Sequence, residues 1–204
     1  MSRRGFCRNS VASGQGIKRY TLARSEAFVV KTTTHVRRET ESLDDISSLL
    51  EGRVFHVTKL AHLDAILTEG EIKPNGNGAL PTTFGYVANA FFRKRNCVSL
   101  FDYRLDPTDQ IRDFRTRCWP FQPARPGSDG IAILVLKPDV HAALIPWTRW
   151  KEENALSEMI VPYVEAGYPG SISIDLIDEV ICLKIEEDPN SFAAMLRKAR
   201  RAAS

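Results

Sequence analysis

At 204 residues, 43% hydrophobic and 26% charged, the chain has enough apolar side chain for one folded body with an appendage, which excludes a wholly disordered protein. No apolar run approaches the roughly 18–20 residues of a membrane helix; the longest, such as Ile131–Leu136, are strand-sized. The net charge of +3 conceals an asymmetry, because residues 1–38 hold nine Lys or Arg against Glu26 alone, a balance of +8 that leaves −5 for residues 39–204.

In chain order, residues 1–40 are rich in Ser, Thr, Gly and Arg and read as a basic, partly flexible arm with one short β-favouring run, Ala27–Val30. Ser42, Asp44 and Asp45 followed by Ile46, Leu49 and Leu50 predict a short helix ending near Gly52. Val54–Thr58 is β-branched and aromatic and reads as a strand. Leu63, Ile66 and Leu67 are at helical spacing within 60–69, and Gly70 is a left-handed cap. Residues 74–78, Pro-Asn-Gly-Asn-Gly, form a loop. Phe84–Phe92 is expected to be helical, leading through the knot Arg93-Lys94-Arg95 into a strand over Cys97–Phe101. Residues 105–130 read as loop, Ile131–Lys137 as a buried strand, Asn154–Val161 as an apolar-bearing segment, Ile177–Ile185 as the last strand and Ser191–Arg201 as a basic terminal helix. Short strands, few helices and long loops predict an α+β fold on a split, mostly antiparallel sheet, with residues 41–190 as the folded domain between an arm (1–40) and a basic tail (191–204).

Cys7, Cys97, Cys118 and Cys182 form no CxxC pair and none is spaced with the histidines as zinc ligands, so no metal is expected. Four scattered thiols make no disulfide scaffold, and the first residues lack the apolar stretch of a secretory signal. The reading is a cytoplasmic protein without a membrane partner; the Arg-rich, acid-poor start also fits an organelle transit peptide.

Two basic regions bear on partners. The arm can hold nucleic-acid phosphates electrostatically or be a solvated tail. Residues 89–126 hold eight basic and four acidic side chains, and within them Arg112, Arg115, Arg117 and Trp119 interleave cations with an aromatic, a surface for phosphates and bases or else a self-packed lid. Arg93 and Arg95 offer a fork for a pyrophosphate, or a basic surface knot.

Three pieces occur in order: His56-x-Thr58 with its helix ending Ile66-Leu67-x-x-Gly70; Val98-Ser99-Leu100-Phe101 after Arg93 and Arg95; and Ser157-Glu158-Met159-Ile160-Val161 before the closing strand. This order resembles the ADP-ribosyltransferase superfamily. "FHVTKLAHLDAILTEGEI" is similar to the opening of the DarT-type DNA ADP-ribosyltransferases, and "SEMIVPYVEAGYPGSISIDLIDEVICL" resembles their late Glu-bearing strand, loop and closing strand, so the likeness spans residues 54–185. It implies an ADP-ribosyltransferase-like fold and a mono-ADP-ribosyltransferase that transfers ADP-ribose from NAD to a nucleic acid (DNA) or protein acceptor, as a toxin or defence factor with an antitoxin as a further partner.

The resemblance also implies roles. Glu158 would be catalytic, with Glu153 or Glu165 as fallback; His56 would hold the adenosine ribose and Thr58 support contacts on the nicotinamide side. Arg93, Arg95, Ser99 and Phe101 would complete the NAD site, Phe101 or Tyr103 (less readily Tyr86) lying against nicotinamide. Tyr168 would stand at the tip of a turn over 164–170 near the acceptor. "VSLFDY" departs from the Ser-Thr-Ser and His-Tyr-Glu patterns of other branches, which leaves the stacking residue open. His62 is expected at the surface. Alternatives are a non-catalytic nucleic-acid-binding module on the same fold, an NAD glycohydrolase, or an RNA 2′-phosphotransferase, for whose phosphate "FHVTKLAH" offers only Lys59 and two histidines.

Overall fold

Ile131–Leu136 is apolar and buried at all six positions, which a strand achieves only when both faces of its sheet are covered. In the computed structural model, which describes residues 14–21, 27–85 and 87–202, this strand is β6 and lies inside an eight-stranded sheet of order β1-β2-β10-β6-β3-β5-β8-β7. The strands are β1 (Gly14–Thr21), β2 (Ala27–Arg38), β3 (Val54–Lys59), β5 (Cys97–Asp102), β6, β7 (Ile145–Pro146), β8 (Glu165–Pro169) and β10 (Ile177–Glu186). A separate ribbon pairs β4 (Glu71–Ile72) with β9 (Ile172–Ser173). The fold is mixed α+β and the main sheet is antiparallel at every pair except β2–β10, which is parallel over Lys31–Arg38.

Alternation along the strands distributes two cores. On one face Val54, Leu134, Leu136, Val180 and Cys182 pack with Leu63 and Leu67 of α2 (Leu60–Glu69). On the other, Phe55, Ile133, Val135 and Ile181 pack with Ile46 of α1 (Asp44–Ser48) and with Leu50 and Phe121. The α2 helix ends as its sequence demands: Gly70 adopts φ 81°, ψ 10°, a conformation costly for residues with a Cβ, and its N–H donates to Ile66 O at 3.0 Å.

Four expectations need correction. Of the expected helix over 84–92 only Phe91 and Phe92 are helical, as the start of α3 (Phe91–Lys94), because Gly85 at φ 73° and the turns after it break the run. Residues 105–130 contain a helix, α4 (Asp109–Arg117), capped by Thr108 Oγ1 accepting from Ile111 N–H at 3.3 Å. Within 164–170, Glu165–Pro169 form strand β8 rather than a displayed turn, and Tyr168 pairs in register with Val98 and packs on the core. Residues 27–38, read as arm with one short strand, are a twelve-residue strand integral to the sheet. The basic residues Arg3, Arg4, Arg8 and Arg24, together with Cys7 and Tyr86, lie outside the described residues. The C-terminal helix, α5 (Phe192–Ala202), is tied to the body by Arg197, which donates to Glu187 Oε1 at 2.6 Å and to Glu39 Oε1 at 3.3 Å.

Candidate functional site

β3 pairs with β6 over five residues but with β5 over only two, Val54↔Asp102 and Phe55↔Phe101. Beyond Phe55 the two strands part, and backbone groups that would otherwise ladder together face a gap. His56 bridges it: Nδ1–H donates to Ser99 O at 3.0 Å, since a carbonyl oxygen only accepts, and this tautomer leaves the Nε2 lone pair available. Burial, opposed by the bond to Ser99, holds the His56 ring below the usual histidine range and keeps it neutral. Next along β3 on the same face, Thr58 Oγ1 lies 3.3 Å from His62 Nδ1 at the start of α2.

The gap opens into a cavity of about 620 Å³, within the roughly 300–1,000 Å³ of small-molecule sites. One side is polar, with His56, Thr58 and His62; the other carries Ser99, Phe101 and Glu165; Phe84, Trp119 and Val161 supply apolar surface and Arg93 a cation. Arg93 reaches it from α3 beneath the 75–78 loop, its Nε donating to Asn75 O at 2.9 Å.

Glu165 is the distinctive titratable group. It opens β8 opposite Phe101, and its side chain and backbone close a ring with Val161: Val161 N–H donates to Glu165 Oε2 at 2.7 Å and Glu165 N–H to Val161 O at 3.1 Å. The connecting turn passes through Tyr163 at φ 63°, a left-handed conformation held by contact of its ring with Trp147 (4.5 Å) and Phe114 (5.5 Å). Burial pushes the Glu165 carboxyl up to about 7, only partly offset by the Val161 amide. Cys118 beside it is pushed up to about 12 by burial and then by the Glu165 charge, so it stays a thiol.

The structure divides the residues expected from sequence. His56, Thr58, Arg93, Ser99, Phe101, Arg117 and Trp119 line the cavity together. Glu158 does not. Its carboxylate accepts from Arg95 Nη1 at 2.6 Å and Lys94 Nζ at 3.3 Å, outside the cavity. Burial pushes the Glu158 carboxyl up, but these bonds outweigh it and leave it below its ordinary range. Arg95 is withdrawn with it, its Nε donating to Glu153 Oε2 at 2.8 Å and its guanidinium stacked 3.5 Å from the Phe91 ring centre. Of Glu158 and its fallbacks Glu153 and Glu165, Glu165 alone lines the cavity; the other carboxylates there, Glu69 and Glu71, are paired with Lys73.

Of the basic residues around α4, Arg115 is only 8% exposed and is a structural clasp, bonded to Glu51 at 2.7 Å and to the carbonyls of Tyr103 and Leu105. Arg112 pairs with Asp109 and Arg117 with Asp113, and carboxylates from outside 89–126 answer part of the excess, Glu51 at Arg115 and Glu153 and Glu158 at Arg95 and Lys94. Tyr168, on the sheet, does not line the cavity. Contributors that escaped the sequence reading include His62, which the spacing from Thr58 across a strand–helix junction could have flagged, and Glu69, Glu71, Cys118 and Gln122, for which no local pattern exists. Among the described residues no group of three or more His, Cys, Asp or Glu is placed to hold a metal ion, and no helix is long and apolar enough to cross a membrane.

No family model, curated protein or solved structure matches this chain.

Proposed function

We propose that the chain is a mono-ADP-ribosyltransferase on an ADP-ribosyltransferase-like split sheet, taking NAD as donor. The observation that carries this reading is the placement of Glu165 across the parted strands from His56 and Thr58 in one cavity. Cleavage of the nicotinamide–ribose bond sends its electron pair to nicotinamide and leaves positive charge on the ribose C1′ and ring oxygen. A carboxylate held beside that carbon stabilises the charge, and it does so strongly in a water-poor cavity. The acceptor's nucleophile then bonds to C1′ and gives up its proton.

The residues present fit this donor. His56 Nε2 can accept from a ribose hydroxyl, the Arg93 guanidinium offers charge to a pyrophosphate, and Phe84, Phe101 and Trp119 give flat apolar surface for the ring systems. Trp119, Gln122 and Arg117 are exposed cavity-lining residues at the place where an acceptor, nucleic acid or protein, would approach. A toxin or defence role, with an antitoxin partner, accompanies the same reading.

The test is incubation with NAD labelled in the adenylate moiety, together with DNA, RNA or cell protein, following release of nicotinamide and the fraction that takes up label. Nicotinamide release with label retained on one polymer supports transfer. Release with no polymer labelled makes the chain a glycohydrolase with water as acceptor, and no release in any mixture overturns the proposal. Glu165→Gln is expected to lower nicotinamide release at least about a hundredfold, whereas Glu158→Gln leaves a measurable rate.

A further inference from the structure

The Glu-bearing segment that resembled a catalytic strand lies against α3 through an unusually dense set of bonds. Arg95 Nη1 donates to Glu158 Oε2 at 2.6 Å and to Phe91 O at 2.8 Å, its Nε reaches Glu153, and Lys94 takes the other Glu158 oxygen. The Glu158 carbonyl accepts from Trp150 Nε1 at 3.1 Å. Met159 is then held on both sides, its N–H donating to Asn89 O at 2.9 Å and its carbonyl accepting from Phe91 N–H at 2.8 Å. Two residues on, Val161 N–H holds Glu165 Oε2. Glu158 and Arg95 are only 16% and 24% exposed, so this is more than a solvated surface pair.

We propose that Arg95, Glu153 and Glu158 form a clamp that fixes the Met159–Val161 segment so that the Val161 amide holds the Glu165 carboxylate in the cavity. The clamp rests on the reading of Glu165 as the reacting carboxylate, and its members are positioning residues because none lines the cavity. Only two residues lie between Glu158 and Val161, and one of them, Met159, is bonded to the same α3 region that carries Arg95. Movement of the clamp therefore passes into the Val161 amide with little slack. Loss of Arg95 would also leave the partly buried Glu158 with Lys94 as its remaining cation and free the exposed Glu153, loosening the segment from α3.

Other ionisable groups share the Glu165 cavity: Cys118 and Arg117 from the α4 side, His56 from β3, Cys97 from β5, His62 and Glu69 from α2, Glu71 from β4 with Lys73 just after it, and Arg93 from α3. None of them is altered by the substitutions below, which makes the Glu165 titration a clean reporter of the Val161 bond.

The experiment compares the parent with Arg95→Met and Glu158→Gln, using two readouts. The first is the titration midpoint of the Glu165 side-chain carboxyl followed by carbon-13 NMR, assigned by its loss in Glu165→Gln. The second is NAD cleavage across pH. With the amide displaced, the Arg95→Met midpoint moves to higher pH, the acid limb of kcat/KM moves with it, and kcat falls between about tenfold and a hundredfold while KM stays within about twofold. Glu158→Gln keeps an acceptor for Arg95 and gives the same changes in smaller measure. If Arg95→Met does not fold, the Glu158→Gln midpoint decides alone. A Glu165 midpoint equal to the parent's in every folded variant overturns the clamp, whatever happens to the rate. A midpoint that moves in a chain whose parent never cleaves NAD sustains the clamp and defeats the enzymatic reading, so the two failures are told apart.

Discussion

On the proposed reading, Glu165 couples chemistry to stability with opposite signs. Its carboxyl ionises near 7 in the folded protein against an ordinary value of 4.5. Below pH 4.5 it is protonated in both states; between 4.5 and 7 the unfolded chain has lost its proton while the folded site retains it, so folding stability declines through that window. The loss, at about 1.4 kcal/mol per unit, amounts to roughly 3 kcal/mol once the pH exceeds 7. Urea denaturation at pH 5 and pH 8 should therefore show Glu165→Gln more stable than the parent at the higher pH, with the advantage much reduced at the lower. The same ionisation creates the form that faces a developing cation, so kcat/KM for NAD cleavage is expected to fall as pH drops below about 7. The nicotinamide positive charge, once bound nearby, favours the carboxylate and should move the limb in kcat to lower pH. On the opposite lip, His56→Ala removes an acceptor and the bridge to Ser99; calorimetric titration should show weaker NAD binding, and unchanged affinity would leave His56 a purely structural bridge.

At the scale of elements, the site depends on how closely β8 and α3 approach. A Cβ on Gly167 would lie 2.2 Å from Phe92 Cδ1, and Phe92 is buried at 1% exposure with Phe91 beside it. Gly167→Ala must therefore displace a core ring, with a cost of about 1–3 kcal/mol visible as a lower midpoint in urea. Because Gly167 shares β8 with Glu165, NAD cleavage should suffer as well. The β3–α2–Gly70 unit was legible in the sequence because β-branched residues, helical spacing and a terminal glycine all point the same way within twenty residues. β8 was not: Glu-Ala-Gly-Tyr-Pro has turn composition, and only pairing with β5 on one side and β7 on the other makes it a strand. The α4 helix was hidden by its charge, since Arg and Asp of a solvated face outnumber Ile111, its single buried aliphatic residue. That Glu165 and not Glu158 lines the cavity was hidden for a related reason. Both precede apolar residues, and sequence spacing cannot tell which is answered by Arg95 and Lys94 and which is left facing a cavity.

Across the whole molecule, the charge asymmetry suggested a boundary near residue 40, yet the sheet runs through it. β2 joins residues 27–38 to β10 in parallel register, with Lys31 and Thr33 meeting the buried Glu179, which Arg53 also holds from the start of β3. Parallel pairing of distant segments is a property of the folded chain that composition does not encode. Two truncations separate an appendage from an integral strand. Removing residues 1–21 takes away β1, which pairs with β2 alone, and leaves β2 as the sheet edge. Removing residues 1–38 strips β10 of one ladder, takes away the core residue Val30 and leaves Glu179 without Lys31 and Thr33. Thermal melts followed by circular dichroism should show a cooperative transition for the shorter deletion and a lost or strongly lowered one for the longer, with NAD cleavage surviving only in the first. If the variant lacking residues 1–38 melted like the parent, the β2–β10 ladder would contribute little to the fold. The basic segment could then be treated as an arm, its share of nucleic-acid affinity read from the salt dependence of binding, whose log–log slope becomes shallower by about 0.7 for each single-strand phosphate the protein no longer neutralises.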